Sequence, residues 1–280
     1  MVKILLHGCN GRMGQVMTRI ITEFQQRESV QVAPGTGSTN DSHKTSELKI
    51  ICGVDLDPNK IENSYPVYPS LDQVPAGKNP DILIDFSHHN CIAGLLDFGI
   101  ARQTPLVICT TGYTAGEQQL IKEASHKVPV LMSANMSLGI NLLLALVAKA
   151  ATVLGESFDI EIVEKHHNQK VDSPSGTAMM IAEAINTSLG HGMEYIYGRH
   201  GRDAKVSKRK KNEIGIHAVR GGAIVGEHDI IFAGQGEVIE IRHSALSRDV
   251  FAYGAIKAAR FLAGKESGLY SMKDVVEAGS

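Results

Sequence analysis

The chain has 280 residues, 43% of them hydrophobic and 21% charged, and 28 Lys+Arg against 30 Asp+Glu give a formal net charge of −2. That length accommodates one large domain or two ordinary ones, and the near balance of charge excludes a generally basic nucleic-acid binder and a highly charged disordered chain. The longest apolar stretch, Leu138 to Ala148, stops at Lys149, short of the ~18 residues of a membrane span, and the glycine-rich turn soon after the first residues is unlike a targeting peptide, so a cytoplasmic protein away from membranes is expected.

Val2–Leu6 reads as a strand, followed by a helix over Met13–Gln26 with Met13, Val16, Met17, Ile20, Ile21 and Phe24 on one face. Ile50–Val54, Ile82–Phe86, Leu106–Cys109 and Val128–Met132 are further short apolar runs, with helical patterns at Cys91–Arg102 and Gly116–His126 between the later ones. Continuous apolar strands alternating with helices predict a parallel sheet covered on both faces, a doubly wound nucleotide-binding fold of the α/β class. From about residue 138 the rhythm changes. A helix over Gly139–Leu154 leads into the alternating strand Asp159–Lys165, then a helix over Ser175–Leu189. Glu213–Arg220, Ile224–Ala233 and Val238–Ala245 follow, separated by Gly221-Gly222 and Gly234-Gln235-Gly236, and read as strands joined by tight turns. This part is expected to be α+β, on a mixed, largely antiparallel sheet. Asp249–Leu262 is again helical. Residues 34–46 and 198–212 read as exposed loops, and Lys208-Arg209-Lys210-Lys211 as a solvated charge run.

The first strand enters His7-Gly8-Cys9-Asn10-Gly11-Arg12-Met13-Gly14, and the helix begins there. Gly8 permits the sharp turn, Gly11 lets backbone approach a pyrophosphate, and Gly14 lets helix pack on strand. The helix N-terminus then offers free N–H groups and a positive dipole to phosphates. The next strand ends in Asp55, with Asp57 two residues on, and either carboxylate is placed to hold the adenine ribose. Asp55 stands about twice as far from the glycines as the usual ~20 residues, with loop 34–46 taking up the excess. No arginine follows Asp55 directly, which tilts the choice between NADH and NADPH towards NADH, although Arg12 is near enough in sequence to meet a 2′-phosphate.

The densest cluster of reactive residues runs from Glu164 through Lys165-His166-His167-Asn168-Gln169-Lys170-Val171-Asp172-Ser173-Pro174-Ser175-Gly176-Thr177 to Ala178, from the end of a strand into a helix. Two histidines and a lysine supply a proton donor near neutral pH and fixed positive charge. Ser173 or Ser175 caps the helix, whose free N–H groups suit a carboxylate. An anionic substrate undergoing acid-assisted chemistry follows. A zinc pair is disfavoured because the histidines are not at i, i+4 and no cysteine lies near. The four cysteines, Cys9, Cys52, Cys91 and Cys109, form no CxxC pair and read as reduced thiols, so no metal is expected. His88-His89, after Asp85-Phe86-Ser87, sits at a strand end on the cofactor side.

These motifs resemble those of the bacterial 4-hydroxy-tetrahydrodipicolinate reductases (dihydrodipicolinate reductases) of lysine and diaminopimelate synthesis. The resemblance spans nearly the whole chain: Gly8–Gly14, Asp85-Phe86-Ser87, Thr110-Thr111-Gly112, Ser133–Ser137, His166–Ala178, Val225–His228 and His243–Arg248. It implies a Rossmann-like domain of residues 1–137 plus 248–280, with 138–247 inserted for substrate and oligomer contacts, and a homotetramer. It implies His166 as general acid with Lys170 also catalytic, His167 touching substrate, and Gly176 and Thr177 binding a carboxylate of a small dicarboxylate. It implies NADH or NADPH along Gly8, Cys9, Asn10, Gly11, Arg12 and Met13, near Asp55, and against Cys109, Thr110 and Thr111 and Ser133, Ala134, Asn135 and Met136. Cys109 stands where the family often has glycine.

Overall fold

The computed structural model describes residues 1–31, 48–201 and 208–279. The loop expected over 34–46 lies outside them, as do residues 202–207 of the second expected loop. By its internal contacts the chain divides into two compact units, one formed by Met1–Met136 with Phe251–Ser280 and the other by Ser137–Val250.

The first unit is built on β1 (Val2–His7), β2 (Leu48–Val54), β3 (Val67–Tyr68), β4 (Ile82–Asp85), β5 (Leu106–Ile108) and β6 (Pro129–Met132), with β12 (Gly268–Tyr270) at one edge. The order is β12-β6-β5-β4-β1-β2-β3, and every pairing is parallel. The apolar runs are continuous because these strands are buried on both faces: Ile4–Leu6, Ile82–Ile84 and Leu106–Ile108 have no exposed surface. Each such Leu or Ile contributes roughly 1.5–3 kcal/mol by leaving water. Helices α1 (Arg12–Gln31), α2 (Ile92–Arg102) and α3 (Ala115–Ser125) make the crossovers. From β1 the chain runs outward to β3, then returns to β4 on the other side of β1. The sheet therefore reverses direction between β1 and β4, where such folds open a crevice at the carboxyl ends of their strands.

In the second unit α4 (Leu138–Leu154), β7 (Asp159–His166), α5 (Gly176–Ser188), β8 (Glu194–Tyr197), β9 (Glu213–Arg220), β10 (Gly226–Ala233) and β11 (Val238–Ala245) precede α6 (Asp249–Leu262). The five strands lie in the order β11-β10-β7-β9-β8. One correction concerns their pairing. Gly234–Gly236 does turn a hairpin, since Ala233 opposes Val238. Gly221-Gly222 does not, because β9 and β10 both pair with β7, the first parallel and the second antiparallel. The sheet is thus mixed, with antiparallel pairings on one side of β7 and parallel ones on the other. Leu143 and Val147 of α4, and Ile181 and Ile185 of α5, pack with Ile160, Ile162, Ile214, Ile216, Ile230 and Phe232 of the sheet as one core.

Two further readings change. Leu138–Ser157 has the length and mean hydropathy (1.9) of a membrane-crossing segment despite Lys149, yet Ile140, Leu143, Val147 and Ala151 face the unit's own core. Arg209 is not a solvated member of its basic run. It reaches Asp159, Glu161 and the Glu213 carbonyl, beside Arg199 and His217, which also engage Glu161.

Candidate active site

In the first unit the turn after β1 is shaped by glycines that admit no side chain. Gly8 has φ +75°, and a Cβ there would stand 2.6 Å from the Phe86 carbonyl oxygen. At Gly14 a Cβ would come within 2.3 Å of the Gly8 oxygen, so the first turn of α1 lies directly on the loop. The Gly8 N–H donates to Val54 at 2.8 Å and the Gly11 N–H to Gly8 at 3.1 Å, closing the turn against β2. Asp55 belongs to this turn: its carboxylate accepts from the Asn10 N–H at 2.9 Å, and the Asn10 side chain donates to the Asp57 carbonyl at 2.7 Å. Cys9 is fully buried, and burial followed by the charge of Asp55 pushes its thiol up to about 12, so it is an inert packing residue.

A cavity of about 770 Å³ opens at the reversal point, lined by Gly8, Gly11, Asp55, Leu71, Phe86 and His88 among others. Of the residues proposed for cofactor contact, Gly8, Gly11 and Asp55 line it, Cys9 and Asn10 lie buried behind it, and Arg12 is exposed at the start of α1, followed by the part-buried Met13. The remaining candidates follow β5 and β6 on the same carboxyl edge of the sheet. Thr110 donates to Asp85 at 2.6 Å and the Cys109 N–H to the Asp85 carbonyl at 3.0 Å. Thr111 and Ala134 are exposed, while Asn135 and Met136 are buried. Burial, reinforced by the charge of Asp85, holds the Cys109 thiol well above its usual range. A dinucleotide fits this architecture: a glycine cradle that any Cβ would fill, a long helix N-terminus, and a carboxylate at the rim of one cavity.

The second unit carries the acid-base cluster. On β7 the even-numbered residues face inward, so Glu164 and His166 follow Ile160 and Ile162 onto the buried side. Glu164 has no exposed surface. Its carboxylate accepts from His166 Nδ1 at 2.6 Å, from the two terminal nitrogens of Arg220 at 2.7 and 2.8 Å, and from the Ser175 N–H at 3.0 Å. Burial pushes this carboxyl up, but the bonds from Arg220, His166 and Ser175 outweigh it and leave it below the ordinary range. Burial lowers the His166 pKa, and Glu164 opposes that shift only in part.

Ser175, rather than Ser173, is the cap of α5, accepting from the Ala178 N–H at 3.1 Å. Its hydroxyl also meets His228 Nε2 at 3.2 Å. His228 lies edge-on to His166, with ring centroids 5.3 Å apart; burial, with the neighbouring charges of His166 and His243, takes it down to about 4. Lys170 pairs with Asp172 at 2.8 Å, which lowers the Asp172 carboxyl, and Asp172 also receives the Gly176 N–H at 3.4 Å. Gly176 is exposed, and His167, Lys170 and Thr177 are partly so. His166, His167, Lys170, Gly176 and Thr177 are therefore assembled around one strand end and one helix start. Sequence reasoning gave no role to Glu164, Arg220, His228 or His243. The available signal was strand parity, which sets a glutamate among buried isoleucines, where it needs a partner.

A parallel sheet with a glycine-rich crevice, joined in one chain to a buried carboxylate–histidine pair beside a helix start, has the make-up of a nicotinamide-nucleotide-dependent oxidoreductase. Residues 2–136 match the family model described as dihydrodipicolinate reductase, N-terminus, and residues 139–276 the one described as dihydrodipicolinate reductase, C-terminus. The chain belongs to the dihydrodipicolinate reductase family. It is 50% identical over 279 residues to the 4-hydroxy-tetrahydrodipicolinate reductase of Caldanaerobacter subterraneus subsp. tengcongensis, covering 100% of both chains. It is 45% identical to the enzyme of the same name from Clostridium tetani, over 97% of this chain and 96% of that one. Among solved structures, the dipicolinate-bound dihydrodipicolinate reductase of Paenisporosarcina sp. TG-14 shares the fold, with a TM-score of 0.74 at 21% identity, over 98% of this chain and 99% of that one.

Proposed function

We propose that the protein reduces 4-hydroxy-tetrahydrodipicolinate to tetrahydrodipicolinate in diaminopimelate and lysine synthesis, with His166 as the proton donor. The substrate loses water, and the resulting ring gains a hydride at carbon and a proton. A nicotinamide cofactor held along Gly8–Met13 would supply the hydride. His166 donates the proton from Nε2, since Nδ1 is engaged by Glu164. Lys170 is catalytic through its fixed charge, His167 touches the substrate, and the Gly176 and Thr177 N–H groups at the start of α5 hold a carboxylate. The observation that carries this reading is the hydrogen bond joining a buried carboxylate to His166 within a strand-to-helix loop that also presents Lys170 and a helix N-terminus. Support for a small dicarboxylate ligand comes from the dipicolinate bound by the Paenisporosarcina relative.

In this reading the first unit is the dinucleotide domain, using Gly8–Met13, Cys109–Thr111 and Ser133–Met136. Asp55, which lines the cavity where Asp57 does not, takes the adenine ribose hydroxyls, and its charge favours NADH over NADPH. The second unit holds substrate and forms a homotetramer through the sheet face opposite α4 and α5, where Val219 and Val238 are exposed. The enzyme works in the cytoplasm, bound to neither membrane nor nucleic acid. The test follows nicotinamide absorbance with each cofactor while pyruvate and aspartate semialdehyde generate the substrate in situ. Turnover that falls ~10²-fold or more in His166→Gln and in Lys170→Met, with cofactor affinity kept, is the expected result. Unaltered turnover in both variants would overturn the role assignment.

A further inference from the structure

The reading above uses His166 but not the groups behind it, and those groups are unusually complete. Both oxygens of Glu164 are fully employed: one takes His166 Nδ1 and an Arg220 nitrogen, the other takes the second Arg220 nitrogen and the Ser175 N–H. A carboxylate so supplied with donors is an acceptor only, so the proton on the shared bond belongs to His166 Nδ1. The ring's other nitrogen faces Gly226, where a Cβ would stand 3.1 Å from Nε2.

We propose that Glu164 is a positioning residue: it fixes the His166 ring with its proton on Nδ1, so that Nε2 alone exchanges protons with a ligand, and Arg220 clamps the carboxylate in its ionised form. This inference rests on His166 being the proton donor of the reduction. The arrangement separates two tasks. Glu164 orients the ring and favours its charged form, while Arg220, with a two-pronged grip and a further bond from its guanidinium to the Asp172 carbonyl at 2.8 Å, keeps Glu164 from taking the proton itself. The other charged or titratable groups near the ring within this unit are Lys170 on the following loop and His228 on β10. Lys170 disfavours the imidazolium. Glu164 is the carboxylate bonded to it.

Two measurements on the full-length enzyme test this. Long-range nitrogen–proton NMR, with the His166 signals assigned by their loss in His166→Asn, is expected to show neutral His166 protonated on Nδ1. Protonation on Nε2 would overturn the proposal without any variant of Glu164 having to fold. The second measurement compares kcat against pH in the wild type, Glu164→Gln and Glu164→Asp. Loss of the carboxylate charge lowers the His166 pKa, so the limb on which activity falls with rising pH moves to lower pH in Glu164→Gln. With it, kcat drops at least about tenfold while KM for substrate and cofactor changes little. Glu164→Asp keeps the charge and restores the limb towards its wild-type position. A limb that stays in place in Glu164→Gln, with only the amount of active enzyme reduced, would reduce Glu164 to a structural residue. A wild type with no turnover would instead sink the reductase reading, and the tautomer would still decide the role of Glu164.

Discussion

Gly226 and His166 face each other across neighbouring strands so closely that a methyl group on the glycine would stand 3.1 Å from His166 Nε2. Its φ is not in the left-handed region, so the backbone does not require glycine; the open face of the imidazole does. Gly226→Ala is therefore expected to fold with unchanged thermal stability and unchanged cofactor affinity, while kcat/KM for the substrate falls about tenfold or more as the ring is displaced. Steady-state kinetics beside a melting curve would check it, and wild-type kcat/KM would show that the space is not needed.

Arg220 clamps a carboxylate that has no contact with solvent. Arg220→Met leaves that charge buried with only His166 and one backbone N–H to meet it. The expected cost is about 3 kcal/mol of folding stability, read as a lower urea midpoint with an unchanged slope. A midpoint within experimental error of wild type would mean that the ion pair is dispensable to the fold.

His228 gives the second unit an acid-sensitive element. Its folded-state value is about 4 against an ordinary 6.5, so between those limits the unfolded chain binds a proton that the folded chain refuses. Stability from this group is complete above pH 6.5 and is lost as the pH falls towards 4. Between pH 6.5 and 5 the wild type should lose about 2 kcal/mol more than His228→Asn, measured by urea unfolding at each pH. Parallel losses in the two proteins would remove His228 as the cause.

How much of this was legible beforehand differs between the fold and the site. The five inner strands of the first unit's sheet declared themselves because burial on both faces demands unbroken apolar runs. Val67–Tyr68 and Gly268–Tyr270 did not, being edge strands of two and three residues with no room for a period. Strand pairing in the second unit was misread at Gly221-Gly222, where a glycine pair suggested a hairpin and the chain instead passes from one side of β7 to the other. The histidines and the lysine stood out as a local cluster. Arg220 did not, because it meets Glu164 through the β7–β9 register, which sets His166 beside Arg220, and register between strands so distant in sequence leaves no trace in spacing. The place of His228 opposite Glu164 on β10 was hidden for the same reason.

Asp55 accepts from the Asn10 N–H and is proposed to hold the adenine ribose, and one substitution separates the two. Asp55→Asn retains an oxygen to accept from the Asn10 N–H but loses the charge beside the proposed ribose site. The ratio of kcat/KM for NADPH to that for NADH should rise about tenfold, the effect of one removed repulsion of roughly 1.4 kcal/mol. An unchanged ratio would exclude Asp55 from coenzyme choice.

The seventh strand of the parallel sheet has a consequence for how the protein is made. β12 pairs with β6 through Gly268–Tyr270 and Pro129–Leu131, and the whole of the second unit is encoded between them. During synthesis the first six strands emerge early, yet β6 presents a bare edge until Gly268–Tyr270 has left the ribosome. A chain released before Gly268 keeps its glycine turn and all of its acid-base cluster, but carries an uncapped strand edge open to pairing with other copies. The strand that covers this edge of the sheet thus lies far along the chain from the strand it covers, and it holds none of the groups proposed to react.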